Sequence, residues 1–235
     1  MAYIYQHIRT RGFEPIHFEE YYTYLEAAFV THFREPLHIS RQELRERISS
    51  TLRNERFSPS AMNAVEVRCY SDGAVEIEAK EILYSTFSMR ALHPYSYLCR
   101  LSGDILTANT SAKAALVEFN RATTQRAERS VAIWANDEDE VIAIDGSPVI
   151  AVFEDEVRFS QRGEGVEFDL AYDVVVKLGR NATIGAIKLS DLSEAKELIF
   201  IGYEGLTAVH SYLSTRYMDV SAEKIAAKIA EAERE

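Results

Sequence analysis

The chain has 235 residues, 47% of them hydrophobic and 27% charged, which excludes disordered, collagenous and low-complexity classes. Lys and Arg number 26 against 37 Asp and Glu, and the resulting net charge of −11 argues against non-specific binding to a nucleic-acid backbone. Two cysteines make neither a disulfide scaffold nor a zinc site, and neither a signal core nor a run of about 18 apolar residues is present, so a soluble cytoplasmic protein without membrane or nucleic-acid partners is expected.

The opening YIYQHIRT reads as a short strand ended by an Arg-Gly turn. Phe18, Tyr21, Tyr22, Leu25, Phe29 and Phe33 then recur at three- and four-residue steps and predict an amphipathic helix. After Pro36, Ser40 and Glu43 form a capping-box pattern ahead of Leu44, Ile48 and Leu52 on one face of a second helix. The period then changes to two. Val65, Val67 and Cys69, and after Asp72-Gly73 also Val75, Ile77 and Ala79, alternate with polar residues and predict a β-hairpin. ILYSTFSMRAL is expected to be a third strand, and 94–110, polar and irregular, a linker. The order of elements predicts an α+β chain with a small α/β domain at 1–100 and a larger one at 101–235.

In the second half, SAKAALVEFNRATTQRAE reads as a helix. VAIWA, EVIAI, PVIAVF and EVRFS follow as four short strands, and VEFDLAYDVVVKLG as a helix ended by Gly179. ATIGAIKL is expected to be a strand, LSDLSEAK a short helix from Ser190, ELIFIG and LTAVHSYL strands, and SAEKIAAKIAEAERE a final helix capped by Ser221. The acidic run Asp137–Glu140 reads as a solvated turn.

No P-loop, dinucleotide fingerprint, nucleophile elbow or HExxH is present, and the six histidines show no metal-ligand spacing. The chemistry is instead carried by an ordered set of weaker matches. QHIRTRGFEPIHFEEYYTYLEAAF, SAKAALVEFNRA, AIWANDEDEVIAIDGSPVIAVFEDEVRF, EGVEFDLAYDVVVKLGRNATIGAIKLSDLSEAKELIF and GYEGLTAV resemble, in this order and over nearly the whole chain, the class IV aminotransferases. This is the fold-type IV pyridoxal-phosphate (PLP) family, which includes branched-chain and D-amino-acid aminotransferases and aminodeoxychorismate lyase.

The resemblance implies a two-domain D-amino-acid aminotransferase-like architecture, a homodimer, PLP, and an amino or keto acid substrate. It makes Lys113 the lysine that forms an imine with PLP and moves a proton at the substrate Cα. Tyr24 falls where the family has its phosphate arginine, Val166 and Glu167 on one phosphate turn, and Gly202 and Tyr203 or Glu204 on the other. The partner of the pyridine nitrogen falls at Ala143 without a gap, or at Asp145 with a two-residue shift. These departures leave backbone groups at Gly165-Val166 and Gly202 as phosphate ligands, with Arg41, Arg90 or Arg180 as replacement cations. The alternative is a catalytically inactive descendant of the fold that binds a metabolite or a protein partner.

Overall fold

A computed structural model describes residues 1–101, 108–124 and 130–234, which divide into two compact units. The first holds residues 1–86 with 108–112. Its strands are β1 (Tyr3–Arg11), β2 (Glu14–Pro15), β3 (Met62–Tyr70) and β4 (Val75–Glu81), and its helices α1 (Phe18–Phe33) and α2 (Arg41–Asn54). The strands form one antiparallel sheet in the order β2-β1-β3-β4. The period-two pattern sets its faces: Val65, Val67 and Cys69 are buried, while Glu66, Arg68 and Tyr70 between them are partly exposed. Tyr21, Tyr22, Leu25 and Phe29 of α1, and Leu44, Ile48 and Leu52 of α2, are buried core residues. The Ser40 hydroxyl accepts from the Glu43 amide at 3.2 Å, so half of the capping box forms as the spacing predicts.

The second unit holds 87–101 and the described residues from 113 onward. Its elements are β5 (Tyr95–Arg100), α3 (Ser111–Thr124, which enters this unit at Lys113), β6 (Ser130–Ala135), β7 (Val141–Ile144), β8 (Val149–Val152), β9 (Val157–Ser160), α4 (Val166–Lys177), β10 (Ala182–Gly185), a single 3-10 turn (Asp191–Ser193), β11 (Glu197–Gly202), β12 (Gly205–Ala208), β13 (Ser211–Tyr212), β14 (Thr215–Arg216) and α5 (Val220–Ala232). One mixed sheet runs β14-β13-β5-β6-β7, the other β10-β9-β8-β11-β12. Continuous burial of β7, β8 and β11 shows why these segments read as unbroken apolar runs: both faces are covered. Ile133, Ile144, Val149, Leu198 and Phe200 fill the space between the sheets. Ile199, Ile201 and Leu206 pack with Val175 of α4 and Ile225 and Ile229 of α5 on the outer face of the second sheet. Trp134 and Ala143 pack with Leu116 and Val117 of α3 on the outer face of the first.

Several expectations change. ILYSTFSMRAL forms no strand; only Met89 bridges, in parallel, to Leu206. The expected linker begins instead with β5, which pairs in parallel with β6 and so sits in the second unit; residues 102–107 lie outside the described set. Parallel pairing with a strand thirty residues away leaves no local turn signal, so this strand was hidden in its polar surroundings. The expected end of α3 at 125–128 also lies outside the described residues. LTAVHSYL splits at Val209-His210 into β12 and β13. Ser221 does not cap α5; its amide, and that of Ala222, donate to the buried Glu197 carboxylate at 2.8–3.1 Å. Nor is the acidic turn wholly solvated. Glu140 is buried and accepts from Gln161 at 2.7 Å and Arg162 at 3.3 Å.

Candidate active site

Lys113 stands in the first turn of α3, where the apolar face of SAKAALV turns toward the β6 side of its sheet. It is only 6% exposed. Burial pulls its amine down to about 8, against a smaller opposing pull from the Glu164 carboxylate. Its neighbour is set by a tight turn. Ile144 and Ser147 exchange backbone hydrogen bonds at 3.0 and 2.9 Å, and the two residues between them, Asp145 and Gly146, have φ of 50° and 80°. That is the conformation a two-residue type I′ turn demands, which Asp-Gly supplies without strain. A Cβ on Gly146 would meet Val117 at 2.8 Å and Trp134 at 3.3 Å, so the turn packs closely on this apolar cluster, with the Cε of Lys113 in ordinary contact range at 3.5 Å.

The same turn reaches the β11–β12 hairpin. A Cβ on Gly202 would meet only the Ser147 hydroxyl, at 3.7 Å, and at Gly165, the residue before α4, it would meet nothing within 4 Å. Both glycines of the expected phosphate turns therefore border open space. Val166 and Glu167 are buried in the first turn of α4, which has no side-chain cap. Tyr203 and Glu204 form the half-buried tip of the β11–β12 hairpin.

Asp145 is partly buried. Burial raises its carboxyl, while Arg121, 3.5 Å away, and Arg90 pull it back down. Ala143, its ungapped rival, is buried in the apolar cluster around Trp134 and offers no polar group. Lys113, Asp145, Val166, Glu167, Gly202 and Tyr203 all belong to the second unit; Tyr24 is a half-buried residue of α1 in the first. Among the replacement cations, Arg41 pairs with Glu19 at 2.8 Å in the first unit, and Arg180 lies beyond the C-terminal end of α4, opposite Gly165. Arg90 pairs with Glu204 at 2.8 Å on the β11–β12 hairpin. Sequence reasoning missed Gly146, Ser147 and Glu164 as site neighbours. The Asp-Gly dipeptide between two apolar runs was the available signal for the first two.

No family model and no curated protein sequence matches the chain. Solved structures do match over nearly its whole length. A branched-chain aminotransferase of Thermoproteus uzoniensis, solved with norvaline, aligns at a TM-score of 0.79 with 15% identity, over 99% of this chain and 84% of its own. A candidate 4-amino-4-deoxychorismate lyase of Legionella pneumophila gives 0.78 with 9% identity, over 99% and 90%. A hypothetical aminotransferase of Mycobacterium tuberculosis, in PLP-bound form, gives 0.77 with 12% identity, over 99% and 90%. At such identities the likeness is one of fold, and the fold of this chain is that of the fold-type IV aminotransferases and lyases.

Proposed function

We propose that this chain is a divergent PLP-dependent enzyme of the aminotransferase or aminodeoxychorismate lyase type, acting on an amino or keto acid. The observation that carries the reading is Lys113, a buried amine held near 8 whose stem lies beside the Asp145-Gly146 turn. A buried lysine with no task is a stability liability, and nucleophilic lysines are activated by this kind of desolvation. The solved structures of this fold that hold PLP or an amino acid add support.

The residues fit the cofactor at both ends. Lys113 suits its aldehyde, and the open backbone turns at Gly165 and Gly202, with the Ser147 hydroxyl, suit a phosphate. When bound, PLP supplies that aldehyde and an electron sink that acidifies the substrate Cα–H. With its amine near 8, Lys113 Nζ is neutral in about a tenth of molecules at pH 7, enough both to attack a carbonyl and to carry a proton at Cα. The Val166 and Glu167 amides at the start of α4 would hold the phosphate, and Asp145 would face the pyridine nitrogen.

The resemblance puts Tyr24 where an arginine would hold the phosphate, and loss of one charge-assisted contact worth about 1.5–3 kcal/mol weakens PLP binding roughly tenfold to a hundredfold. Titration with PLP, followed by absorbance, tests both statements. Saturable weak binding that Lys113→Ala abolishes supports the reading. Submicromolar binding contradicts the role given to Tyr24. Absence of binding at millimolar PLP overturns the enzyme and leaves the non-enzymatic descendant.

A further inference from the structure

Arg90 is delivered to the β11–β12 hairpin by main chain. Its amide donates to the Leu206 carbonyl at 2.7 Å, and the Leu206 amide to the Ser88 carbonyl at 3.1 Å. Gly205 permits this approach: its φ is +124°, and a Cβ there would stand 2.2 Å from the Ser88 oxygen. The guanidinium so placed meets Glu204 at 2.8 Å, at the tip of the turn that opens with Gly202. The charge of Arg90 also reaches Asp145, in the turn that carries Gly146 and Ser147. A continuous path of neighbours thus joins the ion pair to Lys113: Gly202 lies beside Ser147, and Gly146 beside the lysine stem.

The Arg90 and Glu204 side chains are 22% and 37% exposed, and a pair this wet contributes little to stability. Its position is more informative. Arg90 is the one arginine, among the three replacement cations, whose guanidinium meets a turn assigned to the phosphate, and a carboxylate of that turn, Glu204, already engages it.

We propose that Glu204 is a resident counter-anion of this site: it engages the guanidinium of Arg90, and an oxyanion of the ligand takes that place on binding. The inference rests on the functional reading above, which puts a ligand beside Lys113. The oxyanion is the phosphate of PLP or the carboxylate of a substrate; both offer charged oxygens to a guanidinium. Exchange of one anion for another explains how the site lacks the arginine at Tyr24 and still holds a cation. It also makes binding weaker than the cation alone allows, because a ligand must displace an intramolecular partner.

Glu204→Gln, Arg90→Gln and the double variant test this, with far-UV circular dichroism and thermal unfolding to show that each is folded. Four ligands are titrated: PLP, pyridoxal, inorganic phosphate and glutarate. Pyridoxal lacks the phosphate, and the last two report on Arg90 without the cofactor. Glu204→Gln is expected to tighten PLP and inorganic phosphate about tenfold or more while leaving pyridoxal unchanged, and the double variant to lose the gain. Tightening of glutarate alone assigns the oxyanion to the substrate carboxylate and supports the same role for Glu204. Unchanged affinity for all four ligands in Glu204→Gln, or a gain that survives in the double variant, overturns the proposal. If no variant binds PLP or pyridoxal yet inorganic phosphate tightens, the enzyme reading fails and the role of Glu204 stands.

Discussion

Two charged groups in this chain, Lys113 and Glu66, have opposite consequences for stability. The Lys113 amine is held near 8, below its ordinary 10.5, so between those values the unfolded chain binds a proton that the folded chain lacks. Stability therefore rises with pH from 8 to 10.5, and below 8 the full penalty stands. Lys113→Met removes it: the variant is expected to be about 2–3 kcal/mol more stable at pH 7, roughly 5–10 °C in Tm, with the difference shrinking toward pH 10.5. Calorimetry of the cofactor-free protein at the two pH values checks this. A variant no more stable than the parent at pH 7 contradicts the desolvation of the buried amine. Glu66 behaves in the other direction. A hydrogen bond from His7, 3.0 Å away, lowers its carboxyl to about 2 against the opposing effect of burial, with the charges of His7 and Arg68 adding to the decrease. Its folded value lies below the ordinary 4.5, so its stabilisation is complete above 4.5 and is lost as pH falls toward 2. Glu66→Gln is expected to cost on the order of 2 kcal/mol at pH 6 and almost nothing at pH 2. Urea titrations at both pH values check it; equal costs at the two would contradict the assignment. Neither carboxylate nor amine announces such behaviour in the sequence, because burial and distant partners decide it: His7 lies across from Glu66 on the neighbouring strand but 59 residues away, and Glu164 lies 51 residues beyond Lys113.

At the scale of single elements, local chemistry was legible wherever the partner lies close in the chain. Ser40 with Glu43, the Asp72-Gly73 hairpin and Gly179 after α4 stand as their spacing predicts. What escaped depends on distant residues. Glu197 holds the start of α5 from 24 residues upstream, satisfying two amides of the first turn and placing a negative charge at the positive end of the helix. Glu197→Ala is expected to destabilise by about 2 kcal/mol and to raise amide exchange first in α5. A variant whose exchange rises equally in every element would show that Glu197 supports more than this helix. Gly205 is the companion case. Alanine there brings a Cβ onto the Ser88 carbonyl and strains the backbone, so Gly205→Ala is expected to lose more than about 2 kcal/mol.

At the scale of the whole molecule, the order of weak matches outperformed every single motif. No segment identifies the fold alone, yet five in sequence predicted the architecture that the solved structures share at 9–15% identity. Such order survives because the apolar runs of β7, β8 and β11 are dictated by burial on both faces, while the site residues on their turns are free to change. Hence the sequence named Lys113, Gly165 and Gly202 as candidates only through the order of the resemblance, left Gly146 unremarked, and offered Arg90 only as one of three cations. The class IV resemblance also predicts a homodimer, which light scattering at micromolar concentration checks; a stable monomer would contradict it. The central claim is that Lys113 is the nucleophilic amine of a PLP site. Borohydride reduction in the presence of PLP, followed by peptide mass mapping, tests it most directly. The account predicts one stoichiometric phosphopyridoxyl label on Lys113, absent in Lys113→Ala. Label on another lysine, or none with PLP in excess, would contradict it.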